Sequence, residues 1–149
     1  MTYEEDEITE ILRNHRNVAV VGLSRDPKKD SYEVADYLKS KGYKIIPINP
    51  FADEILGERC YKSLLDLPDD IKRSIEIVDI FRPSKDVLPI VEQALQLRRK
   101  YGRPFVVWMQ LGIVNQDAAK MAKDAGMRVI MDKCIKIELK DRRNLYVLS

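Results

Sequence analysis

Ser24, Arg25, Lys28, Lys29 and Ser31 crowd one short polar loop in the stretch Asn17-Val-Ala-Val-Val-Gly-Leu-Ser-Arg-Asp-Pro-Lys-Lys-Asp-Ser31. Hydroxyls and cations so close together can hold a phosphate, provided that free backbone N–H groups join them. Gly22 stands where the apolar run ends and the loop begins. The plain alternative for this loop is a structural turn with solvated lysines. A further cation, Arg82, directly follows the apolar run that ends at Phe81 and precedes Pro83. Arg82 suits a phosphate or a ligand carbonyl, and Phe81 an aliphatic arm; a surface arginine after a core phenylalanine is the ordinary explanation. Gln110 and Gly112 follow another apolar run, and glycine lets backbone pass close to a ligand. Cys134 stands beside Lys133 and Asp132, and a thiol next to a cation can pair with a second thiol; a buried small hydrophobe is the competing reading.

Other chemistries lack their residues. Ser24 stands where a dinucleotide fingerprint has its second glycine, so G-x-G-x-x-G is absent, as is the P-loop pattern. A nicotinamide-binding domain places an acidic residue after its second strand, and here that place reads Asn49-Pro50-Phe51. NAD is disfavoured, while Pro50 and Phe51 can wall an adenine ring or merely end a strand. A phosphoryl-accepting receiver domain needs an acidic pair where Leu23-Ser24 stands. His15, the only histidine, falls in a charged helix end far from these loops, which excludes a histidine triad or a histidine metal cluster. No carboxylate pair stands out for acid and base work.

The chain has 149 residues, enough for one domain that needs no covalent staple. Its 26 Lys and Arg against 24 Asp and Glu give +2, a balance that argues against nucleic acid as a partner. Cys60 and Cys134 are too few for a disulfide framework or a zinc site, so a reducing cytoplasm is the expected compartment. The acidic start from Met1 to Glu10 has no signal-peptide character, and no apolar run approaches the roughly 20 residues that span a bilayer.

Elements that would position these residues are legible in the spacing. Thr2 and Glu5 form a capping box for a helix over 3–14 that turns Ile8, Ile11 and Leu12 inward. Val18 to Val21 reads as the first strand, and Val34, Ala35 and Leu38 mark the following helix, stopped by Gly42. Later strands are expected at Tyr43 to Ile48, Ile75 to Phe81, Phe105 to Met109 and Met127 to Met131. Between them lie a lesser strand or turn at Arg59 to Tyr61 and a helical turn at Ser63 to Leu67. One helix carries Val87, Ile90, Val91 and Ala94 and tolerates Pro89 only near its first turn; another is capped by Asn115 and buries Ala118, Met121, Ala122 and Ala125. Near-continuous apolar strands alternating with helices predict a doubly wound, mainly parallel, five-stranded or slightly larger Rossmann-type sheet with helices on both faces. The core should run over 17–139, with 140–149 a C-terminal tail, and the irregular stretch from Lys136 could pack across a dimer. Gly22, Asn49, Phe81, Gln110 and Asp132 then fall on one carboxyl edge, and the crevice lies outside the first strand.

Taken in order, VAVVGLSRDPKKDSYEVADYL, GYKIIPINP, ILGE, SLLDLP, VDIFRP, VVWMQLGIVNQDAAKMAKDAG and VIMDKCIKIE closely resemble the small stand-alone coenzyme A-binding proteins of the succinyl-CoA synthetase type, over about residues 8–139. The resemblance implies a domain that binds CoA or a short acyl-CoA. It matches Gly22, Ser24, Arg25 and Lys29 to a phosphate loop, and Asn49 and Pro50 to the adenosine side. Phe81, Arg82 and Pro83 match the third strand end, Gln110 and Gly112 the pantetheine side, and Asp132 and Cys134 a D-[RK]-C element. Lys29 stands where the family usually has arginine, which keeps the charge and loses the bidentate fork. The related synthetase subunit carries its phosphorylated histidine in a second domain that this sequence does not show, so no ligase activity is expected. The implied role is a non-catalytic carrier, sensor or regulator, with Cys134 able to form a mixed disulfide with CoA. An NAD(P)-binding oxidoreductase-type domain and a CoA-regulated module that contacts an unidentified protein are the rivals.

Overall fold

The computed structural model describes residues 2–142. Helix α1, Tyr3–Asn14, opens on Thr2, whose hydroxyl accepts the Glu5 N–H at 3.0 Å, and it buries Ile8, Ile11 and Leu12. Strand β1, Asn17–Val21, leads through the polar loop into α2, Asp30–Ser40, and then β2, Lys44–Ile48. A small hairpin follows, β3, Glu54–Ile55, against β4, Glu58–Arg59, with Tyr61 bridged in parallel to Ile48. Its turn residues Leu56 and Gly57 have φ of 55 and 74, the mirror-image turn that suits the twist of paired strands. After a single 3₁₀ turn at Leu64–Asp66 come α3, Asp69–Lys72, and β5, Ile77–Ile80. A second 3₁₀ turn, Ser84–Asp86, runs into α4, Val87–Tyr101, with Pro89 in its first turn, where it removes no helical hydrogen bond. Strand β6, Val106–Met109, helix α5, Gln116–Asp124, strand β7, Arg128–Ile130, and helix α6, Ile135–Asp141, complete the described chain.

The main sheet has the order β2-β1-β5-β6-β7, and every neighbouring pair is parallel. Alternate residues feed two cores, as the two-residue period of a strand requires. Ala19, Val21, Ile46, Val78, Ile80, Val107 and Met109 meet α4 and α5 on one face. Val18, Val20, Ile45, Ile77, Val106, Trp108 and Ile130 meet α1, α2 and α6 on the other. Both faces are covered, which is why the strands read as continuous apolar runs. One residue breaks the pattern: Asp79, fully buried on the Trp108 side.

Three sequence expectations change. Ala125, expected inward, is the exposed cap residue just past α5. The strands are shorter, since Ile75 and Phe81 lie outside β5, although both still pack against the core. The supposed tail begins as α6, which runs past residue 139 to Asp141 because Ile135 and Leu139, four apart, share one buried face. Residues 143–149, the rest of that tail, lie outside the described residues. Among those described, no helix is long and apolar enough to cross a membrane.

Candidate functional site

Strand order reverses at β1, whose two neighbours are β2 and β5. Gly22 leaves β1 at φ 86 and donates its N–H to the Ile48 carbonyl at 3.0 Å. A Cβ on Gly22 would sit 2.6 Å from the Phe81 carbonyl oxygen and 3.1 Å from Cδ of Arg82. Only glycine lets the two strand exits lie this close, and the result is a tight seam on the carboxyl edge.

The polar loop folds on itself beside the seam. Ser24 donates its N–H to the Ser31 hydroxyl at 2.9 Å, and the Ser24 hydroxyl accepts from the Asp26 N–H at 3.0 Å. Asp26 turns its carboxylate inward to the Lys28 N–H at 3.0 Å. Each serine oxygen therefore serves as an acceptor and keeps its own proton to donate. Lys29 is the cap residue of α2 and makes no side-chain cap bond; the Tyr32 and Glu33 N–H groups both return to its carbonyl. Among the described residues, the N–H groups of Asp30 and Ser31 have no acceptor. Two amide donors, two hydroxyls and the positive end of a three-turn helix lie together at the start of α2, an arrangement that suits an anion. The charge balance is less one-sided than the lysines suggest, because Asp30 and Glu33 sit in the same first turn.

A cavity flanks the seam on either side. One, of about 640 Å³, lies over the ends of β5 and β6 between α2 and α6, with Phe81, Arg82, Pro83, Gln110 and Cys134 on its walls. The other, of about 460 Å³, lies over the ends of β1 and β2 and is lined by Gly22, Ser24, Asn49, Pro50 and Phe51, with Arg82 again. Arg82 thus faces both cavities, its guanidinium 3.2 Å from Asp86 in a half-exposed pair that a stronger anion can displace. Phe51 is 83% exposed, an unusual setting for a phenylalanine and a ready platform for an aromatic ring.

Several expected site residues serve the frame. Asn49 donates to the Leu23 carbonyl at 2.9 Å and accepts the Phe51 N–H at 2.7 Å, so its amide ties two loops together. Arg25 reaches the Phe51 carbonyl at 3.4 Å from an exposed position; Lys28 and Lys29 are exposed on the loop. Gly112 lines neither cavity. Its φ of 83 makes a turn, and its N–H donates to Oδ1 of Asp132 at 2.7 Å. Asp132, itself at φ 59, donates its N–H to the Ile113 carbonyl, and Nε1 of Trp108 donates to the Lys133 carbonyl at 2.8 Å. Gln110 is buried and accepts the Ile135 N–H at 3.1 Å. These bonds fix the turn that presents Cys134 at the cavity wall. Cys60 is no rival thiol, because burial pushes its thiol pKa up, against the opposing bonds from Asn49 and Tyr61. His15 lies at the other end of the sheet, stacked on Phe105 and 2.9 Å from Glu76.

Sequence reasoning missed several residues that line the cavities. Lys62, Ser63 and Gln93 line the cavity beside Pro50, and Lys136, Ile137 and Lys140 line the one beside Cys134. Lys62 and Ser63 follow the Tyr61 bridge, too short to read as a strand; the last three ride on α6, whose apolar stripe is only two residues deep.

Comparison with known proteins bears on this edge. The family model described as CoA binding domain matches residues 16–140. The uncharacterized protein YneT of Bacillus subtilis (strain 168) is 40% identical over 131 residues, covering 88% of this chain and 90% of that protein. The ADP-forming acetate–CoA ligase II subunit alpha of Pyrococcus furiosus is 32% identical over 134 residues, covering 83% of this chain and 28% of that subunit. A solved structure, a hypothetical protein from Pyrococcus horikoshii OT3, superposes with a TM-score of 0.83 at 36% identity, covering 95% of this chain and 92% of that one.

Proposed function

The chain belongs to the CoA-binding domain family, and we propose on that footing that it binds coenzyme A along the carboxyl edge of its sheet. The observation that carries this reading is the unfilled start of α2: the amides of Asp30 and Ser31, with the hydroxyls of Ser24 and Ser31, sit beside the two cavities. The diphosphate takes those donors, with Lys29 and Arg82 supplying charge. Adenosine lies against Pro50 and Phe51. The pantetheine arm passes Phe81 and Gln110 toward Cys134. NAD fits worse, since the Asn49 amide is engaged and no carboxylate stands where the adenosine ribose would need one.

The role is that of a carrier or sensor without turnover of its own. The chain spans about a quarter of the ligase subunit that it matches, and that subunit's reaction is not assigned to it. Cys134 gives the carrier a redox handle. Its thiolate attacks one sulfur of CoA disulfide, the old S–S bond breaks, a protein–CoA disulfide forms, and one CoA leaves as thiolate and takes up a proton. The exchange needs CoA disulfide as the oxidant, and a dithiol reductant reverses it.

Calorimetric titration tests the binding. CoA is expected to bind and NADH not to, with Arg82→Ala weakening CoA by about tenfold or more, the usual scale for a charge-assisted contact. NADH binding as well as CoA would overturn the assignment. Mass spectrometry after treatment with CoA disulfide tests the thiol: an adduct that reductant removes and Cys134→Ala lacks is expected, and unmodified wild-type protein would remove Cys134 from the account.

A further inference from the structure

The cavity beside Cys134 carries apolar surface that the polar arm of CoA does not call for. Leu111 and Ile137 on its wall are 66% and 50% exposed, and Val114, close by in the chain, is 40% exposed. Val34, Phe81, Pro83 and Ile113 line the same cavity. A pantetheine arm, with two amides and a hydroxyl, would leave this surface wet. Besides Arg82, charged side chains line the same space from both helices, Asp30 and Glu33 from α2 and Lys136 and Lys140 from α6. They bring both signs, so they select no charged terminal group.

We propose that the site takes a thioester of CoA with an apolar acyl group longer than acetyl, the acyl chain lying against Leu111, Ile113 and Ile137 with the thioester sulfur toward Cys134. The proposal rests on the CoA reading above and goes beyond it by naming the acyl class. The apolar side chains line a concavity that also holds the thiol, which suits a chain hanging from the ligand's sulfur better than a flat protein contact. Each methylene that leaves water on such a wall tightens binding about fourfold. Acylation also changes the fate of Cys134: a thioester holds no disulfide for a thiolate to open, so a protein bound to acyl-CoA forms no mixed disulfide, while CoA disulfide can exchange with it.

The experiment compares the dissociation constants of CoA and octanoyl-CoA for the wild type and for the double variant Leu111→Ser, Ile137→Ser. Both side chains are largely exposed, and circular dichroism checks the fold. Octanoyl-CoA is expected to bind the wild type at least tenfold more tightly than CoA, and the variant less than threefold more tightly. CoA binding with a wild-type advantage under threefold overturns the acyl proposal alone, as does an advantage that survives in the variant. Absence of binding by CoA itself overturns the CoA reading too.

Discussion

Asp79 carries the strongest single-residue consequence in this molecule. It lies between Val20 and Trp108 in the register, fully buried, and neither carboxylate oxygen has a hydrogen-bond partner. Burial alone pushes its pKa well above the ordinary 3.8, so folding favours the neutral carboxyl. Because the folded value is raised, its share of stability is greatest below the unfolded value and declines as pH rises toward the folded one, by at most about 1.4 kcal/mol per pH unit for one proton. Asp79→Asn cannot ionise and is expected to gain stability over the wild type as pH rises from the unfolded value toward the folded one. Urea midpoints across that range measure it; parallel profiles for the two proteins would mean that the carboxyl is not buried without a partner. Asp30 makes the opposite point at the ligand site. It places a negative charge where a diphosphate should sit, and Asp30→Asn is expected to tighten CoA about two- to fivefold, the scale of one charge at a helix start. Weaker binding by that variant would argue against an anion at α2. Sequence reading finds Arg82 just beyond this strand and passes over Asp79, the one acidic residue inside the apolar run.

Among the elements, the seam at β1 and the clasp at the opposite edge hold the sheet from its two ends. Gly22→Ala would place a methyl 2.6 Å from the Phe81 carbonyl oxygen at a positive φ, and is expected to cost about 2 kcal/mol or more in stability and to weaken CoA binding. An unchanged urea midpoint would refute the close approach. At the amino edge, Glu76 accepts the N–H groups of Arg16 at 3.0 Å and Asn17 at 3.1 Å and pairs with His15, fastening the exit of α1 and the start of β1 to β5. Burial raises the Glu76 pKa, but the bonds from Arg16, His15 and Asn17 outweigh it and hold it below its ordinary value. A lowered pKa has the opposite sign from Asp79: the stabilisation is present above the unfolded value and is lost as pH falls through the folded one. Glu76→Ala should cost about 2–4 kcal/mol at neutral pH, with CoA affinity intact because the ligand sits at the far edge. A matching loss of CoA affinity in folded variant protein would contradict that separation. The clasp was hidden from the sequence, since Arg16 and Glu76 are sixty residues apart and only the sheet brings them together. The first helix, by contrast, was legible from Thr2, Glu5 and its three-residue apolar stripe. Helix α6 was not, because Lys136, Glu138 and Lys140 dilute an apolar face made of Ile135 and Leu139.

Across the whole molecule, all five strands of the main sheet deliver their exits to one edge, and everything assigned to the ligand lies there. That arrangement follows from the alternation of apolar runs with helical stripes and from the right-handed crossover. It is therefore legible in the sequence, down to Gly22, Phe81 and Gln110 at the strand ends. What the sequence could not divide was ligand contact from scaffolding: Asn49, Gly112 and Asp132 sit at the right edge but spend their polar groups on neighbouring loops. Such bonds depend on side-chain direction across a turn, which spacing does not encode. The most direct measurement is a crystal structure of the protein grown with CoA. The account predicts diphosphate oxygens within hydrogen-bond distance of the Asp30 and Ser31 amides, adenine against Phe51, and the sulfur in the cavity beside Cys134. CoA lodged instead at the amino edge near His15 and Arg128, or a carboxyl edge left bare at saturating CoA, would contradict it.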